Sequence, residues 1–143
     1  MRAVHVVGWG LVSAIVMVIG SFGPWAKVLG LITVNGTDDG GDGWVVIGAA
    51  AVGAVALLLW RLRSRRWLIL TVIAAAAGLA TTIYDRIDLE GTTDGVDVGA
   101  LVDAAWGIYV AMIGSASLAL AAIVGWMLTS TPKETPAPAS AES

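Results

Sequence analysis

The sequence predicts an all-α membrane protein, a bundle of four transmembrane helices with short β-hairpins in its two longer connections. Three observations predict it. Hydrophobic residues make up 57% of the 143 residues and charged residues only 13%, against about 45–50% and about 25% in soluble chains. The polar residues are segregated, leaving four long runs without Asp, Glu, Lys or Arg between their ends. Aromatic residues gather at the ends of those runs, where an amphipathic ring suits the headgroup layer.

The first run, 3–22, "AVHVVGWGLVSAIVMVIGSF", has the roughly 20 apolar residues a span requires. It exceeds the 7–15 residues of a typical signal-peptide core, and no A-x-A site follows, so an uncleaved span is expected. The second run, 44–60, is at the short end of the range; the third covers 67–84 and the fourth 104–128. Trp25, Trp44, Trp60, Trp67, Tyr84, Trp106 and Trp126 mark boundaries, whereas Trp9 sits inside its span.

Orientation follows from charge. The connection "WRLRSRRW" carries Arg61, Arg63, Arg65 and Arg66 with no acid. Positive loops are retained in the cytoplasm, so this loop and both termini are expected inside, in a multi-pass protein of the cytoplasmic (inner) membrane. Anionic-lipid contact follows as a by-product of such a basic loop. The other two connections face out. Residues 23–43 set Lys27 against Asp38, Asp39 and Asp42, and residues 85–103 set Arg86 against Asp85, Asp88, Glu90, Asp94, Asp97 and Asp103. The net charge of −3 and the lack of a basic face argue against nucleic acid as a partner. The tail, 129–143, is Pro, Ser, Thr and Ala without apolar periodicity and is expected to be disordered and cytoplasmic.

The outer loops repeat a phrase. "ITVNGTDDGGD" (Ile32 to Asp42) and "IDLEGTTDGVD" (Ile87 to Asp97) match at Ile32/Ile87, Gly36/Gly91, Thr37/Thr92, Asp39/Asp94, Gly40/Gly95 and Asp42/Asp97. Each copy starts with apolar alternation, suggesting a short strand, and continues into a glycine-rich turn. Two small hairpins packed into one cap are expected, since an isolated hairpin is marginal in water. Because each copy joins two spans, the chain reads as a tandem helical-hairpin duplication. A calcium loop wants a bidentate Glu at its twelfth position; starting at Asn35 or Glu90, that position holds Val46 or Leu101. Calcium therefore ranks below structural turns and below a partner or ligand surface.

Small residues recur at packing intervals: Ala49/Gly53, Ala74/Gly78, Ala76/Ala80, and the stripe Gly107, Gly114 and Ala121. Lipid supplies no hydrophobic drive between helices, so these positions are expected to seat neighbouring helices, within the bundle or on a partner. Site chemistry is sparse. Cysteine is absent, His5 is the lone histidine, and no phosphate loop, G-x-S-x-G or H-E-x-x-H occurs. No catalytic residue, cofactor or metal ligand is assigned.

At "GPW" (Gly23 to Trp25), "GDGW" (Gly41 to Trp44), "YDRID" (Tyr84 to Asp88) and "WGIY" (Trp106 to Tyr109), the chain resembles a group of small actinobacterial four-span membrane proteins. The resemblance implies four spans with the same punctuation at their ends. That group carries no assigned activity, so it implies no catalytic residue. The expected role is a non-enzymatic accessory or scaffold subunit of a larger membrane complex, with other membrane-protein subunits and the lipid bilayer as partners. The alternative is a small transporter or sensor recognising a cation or polar ligand at Asp85, Asp88, Asp94, Asp97 and Asp103.

Overall fold

The computed structural model describes residues 3–38, 41–91 and 102–130. The chain runs α1 (Ala3–Phe22), β1 (Pro24–Val28), β2 (Ile32–Asn35), α2 (Gly43–Leu62), α3 (Arg66–Gly91), β3 (Val102–Ala104) and α4 (Trp106–Ser130). All four helices are long and apolar enough to cross a membrane. Their outward faces are apolar too: Val12, Ile15 and Ile113 are 59%, 58% and 66% exposed. Such side chains suit lipid as the surrounding medium.

The helices form a ring in which α1 touches α4 and α2, and α3 touches α2 and α4. The α1–α4 seam is the closest. A Cβ built at Gly114 would lie 2.7 Å from the Met17 backbone nitrogen, and one at Gly107 would lie 2.6 Å from the Pro24 carbonyl. Only glycine permits that approach. The predicted stripe of Gly107, Gly114 and Ala121 thus faces α1 inside the bundle. Along the same seam the Trp9 indole donates to Ser117 Oγ at 2.9 Å, and the Ser13 and Ser117 hydroxyls are 2.8 Å apart. Gly53, Ala74 and Gly78 also lie at helix contacts: added Cβ atoms there would meet Leu118, Met17 and Ser115 side chains at Gly53 and Gly78.

Two apolar clusters fill the interior. One contains Met17, Trp25, Val46, Ile108 and Leu118. The other, nearer the arginine loop, contains Val6, Leu57, Trp60, Leu68, Ala121 and Ala122. Buried hydroxyls are satisfied on their own helices, Ser21 on the Met17 carbonyl at 2.9 Å and Ser115 on that of Ala111 at 2.8 Å, as a nonaqueous surround demands.

The strands form one antiparallel sheet, ordered β2-β1-β3, across one end of the bundle. β1 and β2 are joined by Leu29–Leu31, with Val28 opposite Ile32. Here the structure differs from expectation. The strand at Ile32–Asn35 forms, but it pairs with the residues preceding it, and the glycine-rich phrase follows the pair instead of turning it. The second alternating stretch, Ile87–Glu90, is helical and belongs to α3. Alternation over four residues is too short to outweigh continuation of a helix already formed, because each added residue gains a hydrogen bond without a new nucleation cost. Ala104 ends β3, so the fourth helix starts at Trp106, beyond the expected boundary. At the other end α4 continues through Thr129 and Ser130, whose hydroxyls bond back to the Gly125 and Trp126 carbonyls. The tail expected from there on, 131–143, lies outside the described residues.

The apolar part of α3 ends at Tyr84. At 1.5 Å per residue its 26 residues reach ~39 Å, against ~30 Å of hydrocarbon. Its last two turns, from Asp85 on, therefore stand outside the spanning segment, level with the sheet.

Candidate functional site

The sheet end carries two features that the bundle does not need for its own packing. One is an acidic groove and the other an apolar hairpin tip.

The groove begins with the repeated phrase. Asn35 donates its backbone N–H to Asp38 Oδ2 at 2.8 Å, closing the turn that leaves β2. Gly41 N–H donates to the Asp38 carbonyl, and Gly43 N–H to that of Gly36, each at 2.8 Å. Gly36 and Gly43 lie backbone to backbone, and a Cβ at Gly36 would run into the Trp25 indole. These glycines serve close approach. Among the described residues positive φ occurs only at Leu29 (55°) and Gly30 (67°), in the β1–β2 turn.

This loop delivers Asp42 to the start of α2, where its side chain makes no capping hydrogen bond. The Asp42 carboxyl instead lies beside Asp85, on the protruding part of α3, near enough to raise its pKa. Asp38, Asp42, Asp85 and Asp88 then line one groove of about 210 Å³, with Trp25, Asn35 and Leu89. Burial pushes the Asp85 carboxyl up to about 7, assisted by the hydrogen bond and charge of Asp42 and by the charge of Asp88. One Asp85 oxygen is buried without a hydrogen-bond partner. Asp85 therefore keeps its proton well above the usual carboxylate range.

Of the sequence candidates, Asp85 and Asp88 lie in the groove. Asp103 lies on β3, in register opposite Lys27 of β1, and does not line it. Asp94 and Asp97 lie outside the described residues. Asp38 and Asp42 were missed; the available signal was an Asp immediately before a span, a helix-start position. Among the described residues no three His, Asp or Glu side chains are arranged to hold a metal ion.

The hairpin tip is apolar. Leu29, Leu31 and Ile32 are 57%, 86% and 61% exposed. Leu29 holds the left-handed conformation, which costs a residue bearing a Cβ about 1–2 kcal/mol. At the opposite end Arg61, Arg63, Arg65 and Arg66 are all exposed. The Arg65 guanidinium lies over the Trp126 ring, 3.6 Å from its centroid.

Comparison with protein-family models, curated proteins and solved structures finds no match to this chain. The functional reading therefore rests on this geometry.

Proposed function

We propose that the chain is a non-enzymatic accessory or scaffold subunit of a larger assembly in the cytoplasmic membrane, contacting a partner subunit through its sheet end. The observation that carries this reading is the hairpin tip. Three large apolar side chains are held out on a turn whose backbone is strained at Leu29. Strain retained at an exposed position points to a use for that side chain beyond the fold, and exposed apolar patches mark contact surfaces. The acidic groove at the base of the same hairpin gives that end of the molecule a sign, favouring a basic partner edge.

In this reading the arginine loop and both termini are cytoplasmic and the sheet faces out, following the positive-inside rule. The two related phrases are traces of a tandem duplication, with the start of the second copy absorbed into α3. Absence of cysteine makes orientation simple to test. A membrane-impermeant maleimide applied to intact cells should label Thr33→Cys and spare Ser64→Cys; the reverse pattern inverts the topology.

The partner reading is tested by placing a photo-crosslinking amino acid at Leu31 or, as a lipid-facing control, at Ile113, in native membranes. A reproducible adduct of one mass from Leu31 and none from Ile113 supports it. Lipid-only adducts from both positions overturn it.

A second reading is favoured by the Asp42–Asp85 unit: a transporter or sensor recognising a cation or polar ligand in the groove. Calorimetric titration of the purified protein with calcium, magnesium and a small polyamine tests it. Binding that survives Asp42→Asn with Asp85→Asn would remove this reading.

A further inference from the structure

Between α3 and α4 at the arginine end lies a groove of about 260 Å³ lined by Leu68, Ile69, Val72, Ala122, Ile123 and Trp126. Leu68 and Ala122 form its buried floor, while Ile69 and Ile123 are exposed walls. No lining side chain carries a charge. Its surface is the kind an acyl chain fills, and its mouth distinguishes it from the rest of the lipid-facing surface. Trp126, on the groove wall, is the ring on which the Arg65 guanidinium stacks. Stacking engages the flat face of the guanidinium and leaves its N–H donors radiating in the plane. Arg66 follows and opens α3, also exposed. No acidic residue occurs from Gly43 to Tyr84 or from Ala104 to Ser130, so these segments supply no carboxylate to the two arginines.

A larger groove between α1 and α2, lined by Leu11, Ile15, Ile47 and Ala54 among others, has no basic residue in its lining segments. A groove of about 260 Å³ between α2 and α3 also reaches the arginine loop, at Trp67, but of these three the α3–α4 groove is the one lined by a ring on which an arginine stacks.

We propose that this groove binds an anionic phospholipid, with an acyl chain lying along Val72 and Ile123 and the phosphate held by Arg65 and Arg66. The inference rests on the membrane reading of the four helices and is independent of the partner proposed for the sheet end. Arg65 is pre-positioned by Trp126, which lowers the ordering cost of phosphate capture.

Native mass spectrometry of the full chain in mild detergent tests this, titrating dioleoylphosphatidylglycerol against dioleoylphosphatidylcholine. The anionic lipid should form adducts at about tenfold lower concentration. Arg66→Gln, which leaves the Arg65–Trp126 stack intact, should remove most of that preference. Arg61→Gln removes the same charge from α2, which contributes no residue to the groove lining, and should leave the preference within about twofold. Val72→Trp should reduce adducts of the anionic lipid by obstructing the groove. Helicity by circular dichroism confirms that each variant is folded. Equal adducts with both lipids overturn the proposal, as does an effect of Arg61→Gln as large as that of Arg66→Gln, which would mean a diffuse basic surface. Full competition by millimolar glycerol 3-phosphate also overturns it, because a headgroup site alone would not need the groove.

Discussion

The Trp25 indole N–H donates to the Gly20 carbonyl at 2.9 Å, joining the first strand to the last turn of the helix that precedes it. Trp25 is buried, its carbonyl accepts from Ala105 at 2.8 Å, and Gly36 packs flat against its ring. One residue thus ties α1 and the repeated phrase through its side chain and the start of α4 through its backbone. Trp25→Phe should lower stability by about 1–2 kcal/mol, the worth of one buried hydrogen bond with modest packing loss, measured by thermal unfolding in detergent. Gly36→Ala should destabilise by a similar amount through collision with the same ring.

The α1–α4 seam has its own test. Gly114→Leu drives a side chain into the Met17 backbone and should cost about 1–3 kcal/mol or more. Gly8→Leu, at a helical position with nothing within 4 Å of an added Cβ, should be neutral or slightly stabilising because Leu is the better helix former. Equal effects of the two would show that α1 does not lie against α4 as described.

Leu29 separates stability from use. Leu29→Gly removes the penalty for positive φ and should raise stability by about 1 kcal/mol, visible as a higher unfolding temperature. If the tip serves a partner, the same substitution should weaken crosslinking from Leu31 while the protein itself becomes more stable.

The carboxyl pair predicts a pH dependence. Asp85 is raised from 3.8 to about 7 in the folded protein, chiefly by burial. The folded state therefore holds a proton that the unfolded state releases near pH 4. Asp85's favourable contribution is complete below pH 4 and declines as pH rises, until it is lost above about 7. Asp85→Asn removes the titrating carboxyl and should flatten the stability profile between pH 4 and 7. An unchanged slope in the variant would assign the titration to another group.

Much of the helical architecture was legible because its cause is local. A run such as Ala3–Phe22 is apolar over the thickness of a bilayer, and hydrocarbon accepts a backbone only when its hydrogen bonds close within the helix. The stripe Gly107, Gly114 and Ala121 was legible for the same reason, since spacing along one helix places residues on one face. What that face met was not. The repeated phrase was harder. Four alternating residues fit a strand at Ile32–Asn35 and also at Ile87–Glu90, yet the first lies against β1 and the second extends α3.

By itself, then, the sequence determined four membrane-length helices, segregated charge and an acidic pair of connections, because each depends on composition and period within one segment. Only the tertiary structure decided that Asp42 meets Asp85, that Arg65 rests on Trp126, and that β1 pairs with both β2 and β3. All but the β1–β2 hairpin join residues far apart in the chain. Likewise Gly20, Gly107 and Gly114 let the backbones of α1 and α4 close to contact, and no period within a single segment records which backbone will be on the other side.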